Sequence, residues 1–432
     1  MRVAYDMSLL GAVTANAHQR HVFGICRVLI NTVEALFNAH NDVEEVFFVA
    51  RQCIASNHEY FTQNFCRNNI EPPNPRIHFV QAALPDFLQR SLVQWERYFS
   101  MNYVREPWKF LAAGRAAWWV IRSVLDSVDA ETKSRLDIYH SPFGGFPSWT
   151  SRLPHLKRLM TVHDLIALIE PQHFHASTVA ASRRALAQLT KDDWALCVSH
   201  STRRDLLEHF PQVDPSKALV VPLAAASTFA PEENPLSISD VRARYKIPKG
   251  PYFLSLCTVE PRKNVDVIIR GFTRFCEQDA SRRDVCLVLV GKIIERPRAF
   301  LAALEEAGAV RDRILFTGYV DDADLPALYS GASAFVYMSR YEGFGLPPLE
   351  AMQCGVPVIA GNRSSVPEVV GDAGILLDPE DIEGLSNAMS CLLEDEAYHR
   401  HLSRAGIQRA GTFSWSTFGQ QTLAAYRAAI GQ

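Results

Sequence analysis

Arg340-Tyr-Glu-Gly-Phe-Gly-Leu-Pro-Pro-Leu-Glu-Ala-Met-Gln-Cys-Gly-Val-Pro-Val-Ile-Ala360 holds two carboxylates, Glu342 and Glu350, eight positions apart around a glycine turn. The apolar run from Ala334 to Met338 before it reads as a strand. Leu346 to Cys354 reads as a helix, opened by Pro347 in its first turn and stopped by Gly355-Val-Pro357. A strand tip of this kind aims a carboxylate and unpaired backbone N–H groups into a crevice. Those groups and the positive end of the helix dipole suit phosphate or sugar oxygens. Glu342 falls at the turn and Glu350 about one helical turn in, facing the same side. A Gly-x-Gly turn alone is ordinary turn chemistry; the paired acids set this one apart.

Outward from that segment, short β-branched runs alternate with helical patterns, which predicts parallel sheets covered on both faces. In the first half the strands fall at Arg2–Met7, Glu45–Ala50, Ile77–Val80, Asp137–His140, Arg158–Val162, Ala195–Ser199 and Ala218–Pro222. In the second half they fall at Tyr252–Leu256, Val285–Val290, Ile314–Thr317, Ala334–Tyr337, Val358–Ala360 and Gly374–Leu377. Leu223 to Pro235 has linker composition and divides the chain into 1–225 and 226–412, with a hinge and ligand cleft between them. A last helical stretch, within 413–432, has no strand to follow.

A chain of 432 residues exceeds one usual core and suggests two domains. A formal charge of −3 predicts no strong attraction to nucleic acid. The nine cysteines include no Cys-x-x-Cys pair, which points to reduced thiols in a cytoplasm. Met1 to Asp6 reads at once as a strand, leaving no room for a signal peptide, and no apolar run approaches a bilayer's thickness. A soluble chain, or one peripheral to a membrane, is expected.

Val259-Glu-Pro-Arg-Lys-Asn264 follows a strand and opens the helix from Val265. Arg262 and Lys263 run against the helix dipole there, which makes sense if an anion is bound. Arg262 can fork onto two phosphate oxygens and Lys263 can act as a point charge, together stabilising a departing diphosphate. The plain alternative is an exposed basic turn.

With this cation pair, the Glu342/Glu350 segment resembles the signature of retaining glycosyltransferases of the GT-B fold, the GT4 family in particular. That resemblance implies two Rossmann-like doubly wound domains facing across a cleft: an N-terminal acceptor domain, a C-terminal nucleotide-sugar domain and a final helix bracing the first. It places a pyrophosphate at Arg262 and Lys263, sugar hydroxyls at Glu342 and ribose hydroxyls at Glu350. The donor lies along Gly343, Phe344, Gly345 and Leu346, and its base near the backbone of Tyr319 and Val320. Where many members carry Gly-Arg, this chain has Cys257-Thr258, so Arg262 supplies the second charge. Gly24 resembles the family's first glycine loop, although a doubled glycine is missing. His163-Asp164, at a strand's C-terminal end where ligands of open α/β sheets bind, resembles the family's donor-sugar contact; the alternative for His163 is a satisfied core histidine. His140 and Ser199-His-Ser201 occupy similar strand tips.

The resemblance further implies a nucleotide diphosphate sugar as donor, most like GDP-mannose, a glycan or lipid-linked glycan as acceptor in surface polysaccharide synthesis, and retention of anomeric configuration. No cofactor is expected. Asp322-Ala-Asp324 looks like a metal-binding Asp-x-Asp, but its place before a helix suits Asp321 and Asp322 to an N-cap and a first-turn acid. Arg105 to Leu125 carries Phe110, Leu111, Trp118, Ile121 and Leu125 on one helical side, with Arg115 and Arg122 at its edge; this suits a bilayer interface or a buried helix alike. An epimerase or hydrolase of the same fold, or a glycan-binding protein without turnover, are the readings from other classes.

Overall fold

The structure, a computed structural model, describes residues 1–6, 45–49, 77–80, 130–256, 258–291, 293 and 297–432. Gly24 and the stretch from Arg105 to Leu125 lie outside the described residues.

Thirteen described strands form two wholly parallel sheets. The first contains β1 (Arg2–Asp6), β2 (Glu45–Val49), β3 (Ile77–Val80), β4 (Ile138–Ser141), β5 (Lys157–Val162), β6 (Trp194–Cys197) and β7 (Ala218–Val220), in the order β3-β2-β1-β4-β5-β6-β7. The second contains β8 (Tyr252–Leu256), β9 (Cys286–Val290), β10 (Ile314–Gly318), β11 (Ala334–Tyr337), β12 (Val358–Gly361) and β13 (Ile375–Leu377), in the order β10-β9-β8-β11-β12-β13. These are the two parallel α/β lobes that the sequence predicts. Central strands such as β9 and β11 are buried along their whole length, as a sheet covered by helices on both faces requires.

Each sheet reverses its direction of winding once, between β1 and β4 and between β8 and β11. Such switch points leave a crevice at the carboxyl ends of the strands. β8 leads to Arg262 and Lys263 and β11 leads to Glu342, so neighbouring strands deliver cations and carboxylate to one place.

Seven helices bear on the site: α1 (His200–His209), α2 (Val265–Gln278), α3 (Leu325–Ser330), α4 (Leu346–Gln353), α5 (Val366–Val370), α6 (Glu396–Ala410) and α7 (Trp415–Ile430). α7 returns to the first lobe. Its Phe418, Leu423, Ala425, Tyr426 and Ala429 join one core with Val3, Ile138, Leu159 and Leu196 of the first sheet. The crossing segment is not a loose tether. Leu223, Ala224, Ala225 and Phe229 are buried, Gln353 Nε2 donates to the carbonyls of Ala226 and Phe229 at 3.0 and 2.6 Å, and Trp415 Nε1 donates to Ala225 at 3.1 Å. Small alanines and one phenylalanine look like linker composition, yet they are what can pack beneath helices from both sides.

Among the described residues no helix is long and apolar enough to cross a membrane. Cys197, Cys276, Cys286 and Cys354 are buried free thiols and Cys391 is an exposed one.

Candidate active site

Pro261–Lys263 forms a single tight turn between β8 and α2. Asn264 ends it in the left-handed conformation, φ 55°, which aims the two preceding side chains into the crevice. Asparagine tolerates that conformation better than most residues. Its buried amide donates to Pro379 O at 2.6 Å, which fixes the bend.

Three donors converge on one oxygen of Glu342. Lys263 Nζ lies 2.6 Å, Arg262 Nη1 2.8 Å and Ser339 Oγ 2.6 Å from Oε1. Oε2 accepts no hydrogen bond from any described residue. Burial alone would push this carboxyl up, but Lys263 and Arg262 outweigh it and hold it down at about 2. Lys263 also reaches the hydroxyl of Tyr337 at 2.5 Å and stands 4.7 Å from that ring's centre. Arg262 Nε is held by Glu260 at 3.0 Å. Both cations are largely enclosed, with side-chain exposures of 20% for Arg262 and 11% for Lys263, so they are not an exposed basic turn.

The turn after Glu342 supplies a second set of donors. The backbone amides of Gly343, Phe344, Gly345 and Leu346 find no acceptor among the described residues. Gly345, at φ 113°, opens α4 without a side-chain cap. Pro347 and Pro348 have no N–H, so the anion-binding potential of this helix end resides in the four amides before them. Glu350 lies deeper. It is 5% exposed and its Oε2 accepts from Tyr329 Oη at 3.1 Å.

The first lobe faces this cluster with His163 and Asp164, which follow β5. His163 stacks on Phe143, ring centres 4.1 Å apart and 6° from parallel. Its Nε2 lies 3.0 Å from the carbonyl of Pro142, which can only accept, so Nε2 carries the proton and Nδ1 a lone pair. Burial lowers its pKa to about 4, partly offset by that carbonyl, and the ring is neutral at physiological pH. Asp164 Oδ1 accepts from Ile166 N at 3.0 Å. Desolvation raises its carboxyl; the Ile166 amide and Arg262 oppose the rise, while Glu342 adds to it and Lys263 opposes it. Asp164 packs against Gly343, the residue after Glu342. A Cβ on Gly343 would overlap the carbonyl oxygen of His163 and stand 2.9 Å from Asp164 Cβ, so only glycine lets the lobes meet there.

The other candidates resolve differently. His140 is a core histidine: Nδ1 lies 2.6 Å from Tyr426 Oη and Nε2 2.8 Å from Thr161 Oγ1, and both lobe and tail bury it. Ser199 caps α1, accepting from Thr202 N at 3.0 Å. Tyr319 and Val320 follow β10, Val320 with its side chain buried at 3% exposure. The N-cap expected at Asp321 falls instead at Asp324, the residue before α3, and no side chain caps the helix. The Asp324 carboxylate is taken by Arg244 Nη1, 2.6 Å from each oxygen, and by Tyr245 Oη at 2.7 Å. Tyr337, Ser339, Ser364 and Ser365 belong to the site but carry no local motif. Ser364 Oγ accepts from Glu342 N at 2.8 Å, and Ser365 Oγ lies 2.8 Å from the carbonyls of both Glu342 and Phe344.

Paired cations against a carboxylate and a row of free amides, opposite a neutral imidazole, have the chemistry to hold an anion beside a polar group. Residues 237–409 match the family Glycosyl transferases group 1. O-antigen chain mannosyltransferase B of Escherichia coli is 33% identical over 325 residues, 74% of this chain and 79% of that protein. Serotype-specific mannosyltransferase WbdA of Escherichia coli is 30% identical over 264 residues, 60% of this chain but 32% of that longer protein. In fold, sucrose-phosphate synthase from Thermosynechococcus elongatus superposes with TM-score 0.62 at 21% identity, over 100% of this chain and 99% of that one. The Escherichia coli relative that is 33% identical and covered over 79% of its length places this chain in the group 1 glycosyltransferases: it is a GT-B enzyme that moves a hexose onto an acceptor.

Proposed function

We propose that the enzyme transfers mannose from GDP-mannose, with retention of configuration, to a glycan or lipid-linked glycan during synthesis of a surface polysaccharide. The carrying observation is the convergence of Arg262, Lys263 and Glu342 on one point beneath His163 and Asp164. Two mannosyltransferase relatives, one of them named for the O-antigen chain, support the sugar and the acceptor class.

In this reading the diphosphate is drawn to the Arg262 guanidinium and the Lys263 ammonium, sharing them with Glu342, with amides of the Gly343–Leu346 turn completing its shell. These donors stabilise charge that grows on the leaving oxygen. Glu342 Oε2 accepts from sugar hydroxyls, Glu350 from the ribose, and the neutral His163 ring lines the sugar pocket. The bond between the anomeric carbon and the phosphate oxygen breaks as positive charge spreads over the sugar ring. The acceptor hydroxyl bonds to that carbon on the same face, and its proton passes to the departing phosphate oxygen.

Because protein cations already screen the diphosphate and Asp324 is committed to Arg244, turnover needs no divalent metal; activity should persist in EDTA. A panel of nucleotide sugars, scored by nucleotide release and by the anomeric proton coupling of the product, tests the rest. GDP-mannose as the preferred donor with an α-linked product supports the reading; an inverted product, or another preferred donor, overturns it. Contact of the stretch from Arg105 to Leu125 with the membrane is part of the proposal, and failure to sediment with vesicles rich in acidic lipid removes it.

A further inference from the structure

We infer that Glu368 is the positioning residue that locks the two lobes together and thereby sets Glu342 for the transfer step. Glu368 stands on α5 of the second lobe. Its Oε2 accepts from His200 N and its Oε1 from Ser201 N, each at 2.7 Å, and both amides belong to the first turn of α1 in the first lobe. A carboxylate taking two amides at a helix N-terminus gains both charge-assisted hydrogen bonds and the helix dipole. Ser199, the cap of α1, does not compete for these amides, because its hydroxyl serves Thr202 N and donates to Gly343 O at 2.7 Å. Among the described residues no basic side chain pairs with Glu368, so its partners lie across the cleft.

The mounting of Glu368 is firm. Arg409 of α6 donates to the carbonyls of Glu368 and Val369 at 2.5 and 3.0 Å. At the other end of the same segment, Ser364 and Ser365 hold the backbone N–H and carbonyl of Glu342. The residues flanking Glu342 are gripped by α1 as well. Tyr341 Oη donates to Asp205 Oδ2 at 2.7 Å, a bond buried from water, and Thr202 Oγ1 approaches Gly343 O at 3.1 Å. One helix of the first lobe therefore touches both neighbours of Glu342 and the helix that holds its backbone. Opening the cleft releases all of these contacts together, and Glu368 supplies the only charged one that spans to backbone amides among the described residues.

The test uses the full chain and two substitutions that break the same bond from opposite sides. Glu368→Ala removes the carboxylate. His200→Pro removes one amide while leaving Glu368 intact; proline suits the first helical position, and the extended backbone of Ser199 is what a residue before proline adopts. Small-angle scattering without ligand is expected to show a larger radius of gyration for both variants than for wild type. GDP affinity, a property of the second lobe, is expected to stay within about twofold, while kcat falls about tenfold to hundredfold through misplacement of Glu342. Formate, as a free carboxylate, is expected to restore part of the compactness of Glu368→Ala and none of that of His200→Pro. Unchanged scattering in both variants overturns the inference. So does a parallel loss of GDP binding, which would make Glu368 a fold element of its own lobe. Scattering needs no turnover, so this result stands apart from the identity of the donor sugar.

Discussion

Lys263 Nζ and Glu342 Oε1 are 2.6 Å apart, and the same oxygen also takes Arg262 and Ser339. The carboxylate thus occupies the cations that a diphosphate would need, while its second oxygen accepts no hydrogen bond from any described residue. Donor binding must share or displace these pairs, and the competition has measurable consequences.

Replacing Glu342 by glutamine removes the charge that holds the cations but keeps the shape. GDP alone should then bind more tightly, by about threefold to tenfold, whereas turnover falls by about a hundredfold because the sugar loses its acceptor of hydroxyl protons. Isothermal titration with GDP set beside steady-state rates measures both. Weaker GDP binding in Glu342→Gln would show that the ion pairs do not compete with phosphate.

Lys263→Ala should lower kcat by about a hundredfold to a thousandfold, the usual effect of deleting one donor that meets developing charge. Arg262→Lys keeps the charge and loses the fork, so its defect should be smaller yet well above tenfold. Rates with saturating acceptor distinguish them. Equal, mild losses would move the diphosphate elsewhere.

Tyr426→Phe removes the hydroxyl that lies 2.6 Å from Nδ1 of the buried His140 ring. The expected cost is about 1–3 kcal/mol of stability with little change in donor affinity. Urea unfolding reads the first and GDP titration the second. If stability is unchanged, α7 does not brace the first lobe through this bond.

Acid should destabilise the protein well above the usual carboxylate range. Burial, aided by the charge of His163, lowers His140 from 6.5 to about 3, and burial lowers His163 from 6.5 to about 4. Both rings are neutral in the fold, so the unfolded chain binds more protons below pH 6.5. Their contribution is fully present above that value and is lost as pH falls toward 4 and then 3. Glu342, held at about 2 against an ordinary 4.5, adds its own loss only below 4.5. Urea midpoints should drop between pH 7 and pH 5, and His140→Gln should flatten that drop. A midpoint indifferent to pH over this interval would contradict the buried neutral state.

The strands were legible because a sheet buried on both faces demands continuous β-branched and apolar runs, as Cys286–Val290 and Ala334–Tyr337 show. Arg262, Lys263 and Glu342 stood out as candidates because they fall in short motifs, Pro261-Arg-Lys-Asn264 and Glu342-Gly-Phe-Gly345, that follow strands. His140 and His163 both read as strand tips of one sheet, and only the neighbouring Asp164 favoured His163; in the fold His140 lies within β4 and His163 just past β5. What separates them is Tyr426, 286 residues from His140, and Phe143 against His163. Ser339, Glu368 and Asp205 left no local signal, because their partners come from other elements or the opposite lobe. Asp321 looked like a cap because sequence cannot show that a separate turn over 322–324 precedes the helix, which moves its start to Leu325.

The return of α7 also imposes an order in time. The first sheet is written by the residues up to Val220, yet the hydroxyl that meets His140 is made 286 residues after it. While the ribosome is still at work, that lobe has its strands but not its cover of Phe418, Leu423 and Tyr426, and its oily face stays bare until that helix has been made. The later lobe can finish first, so the natural sequence of maturation runs backwards along the gene.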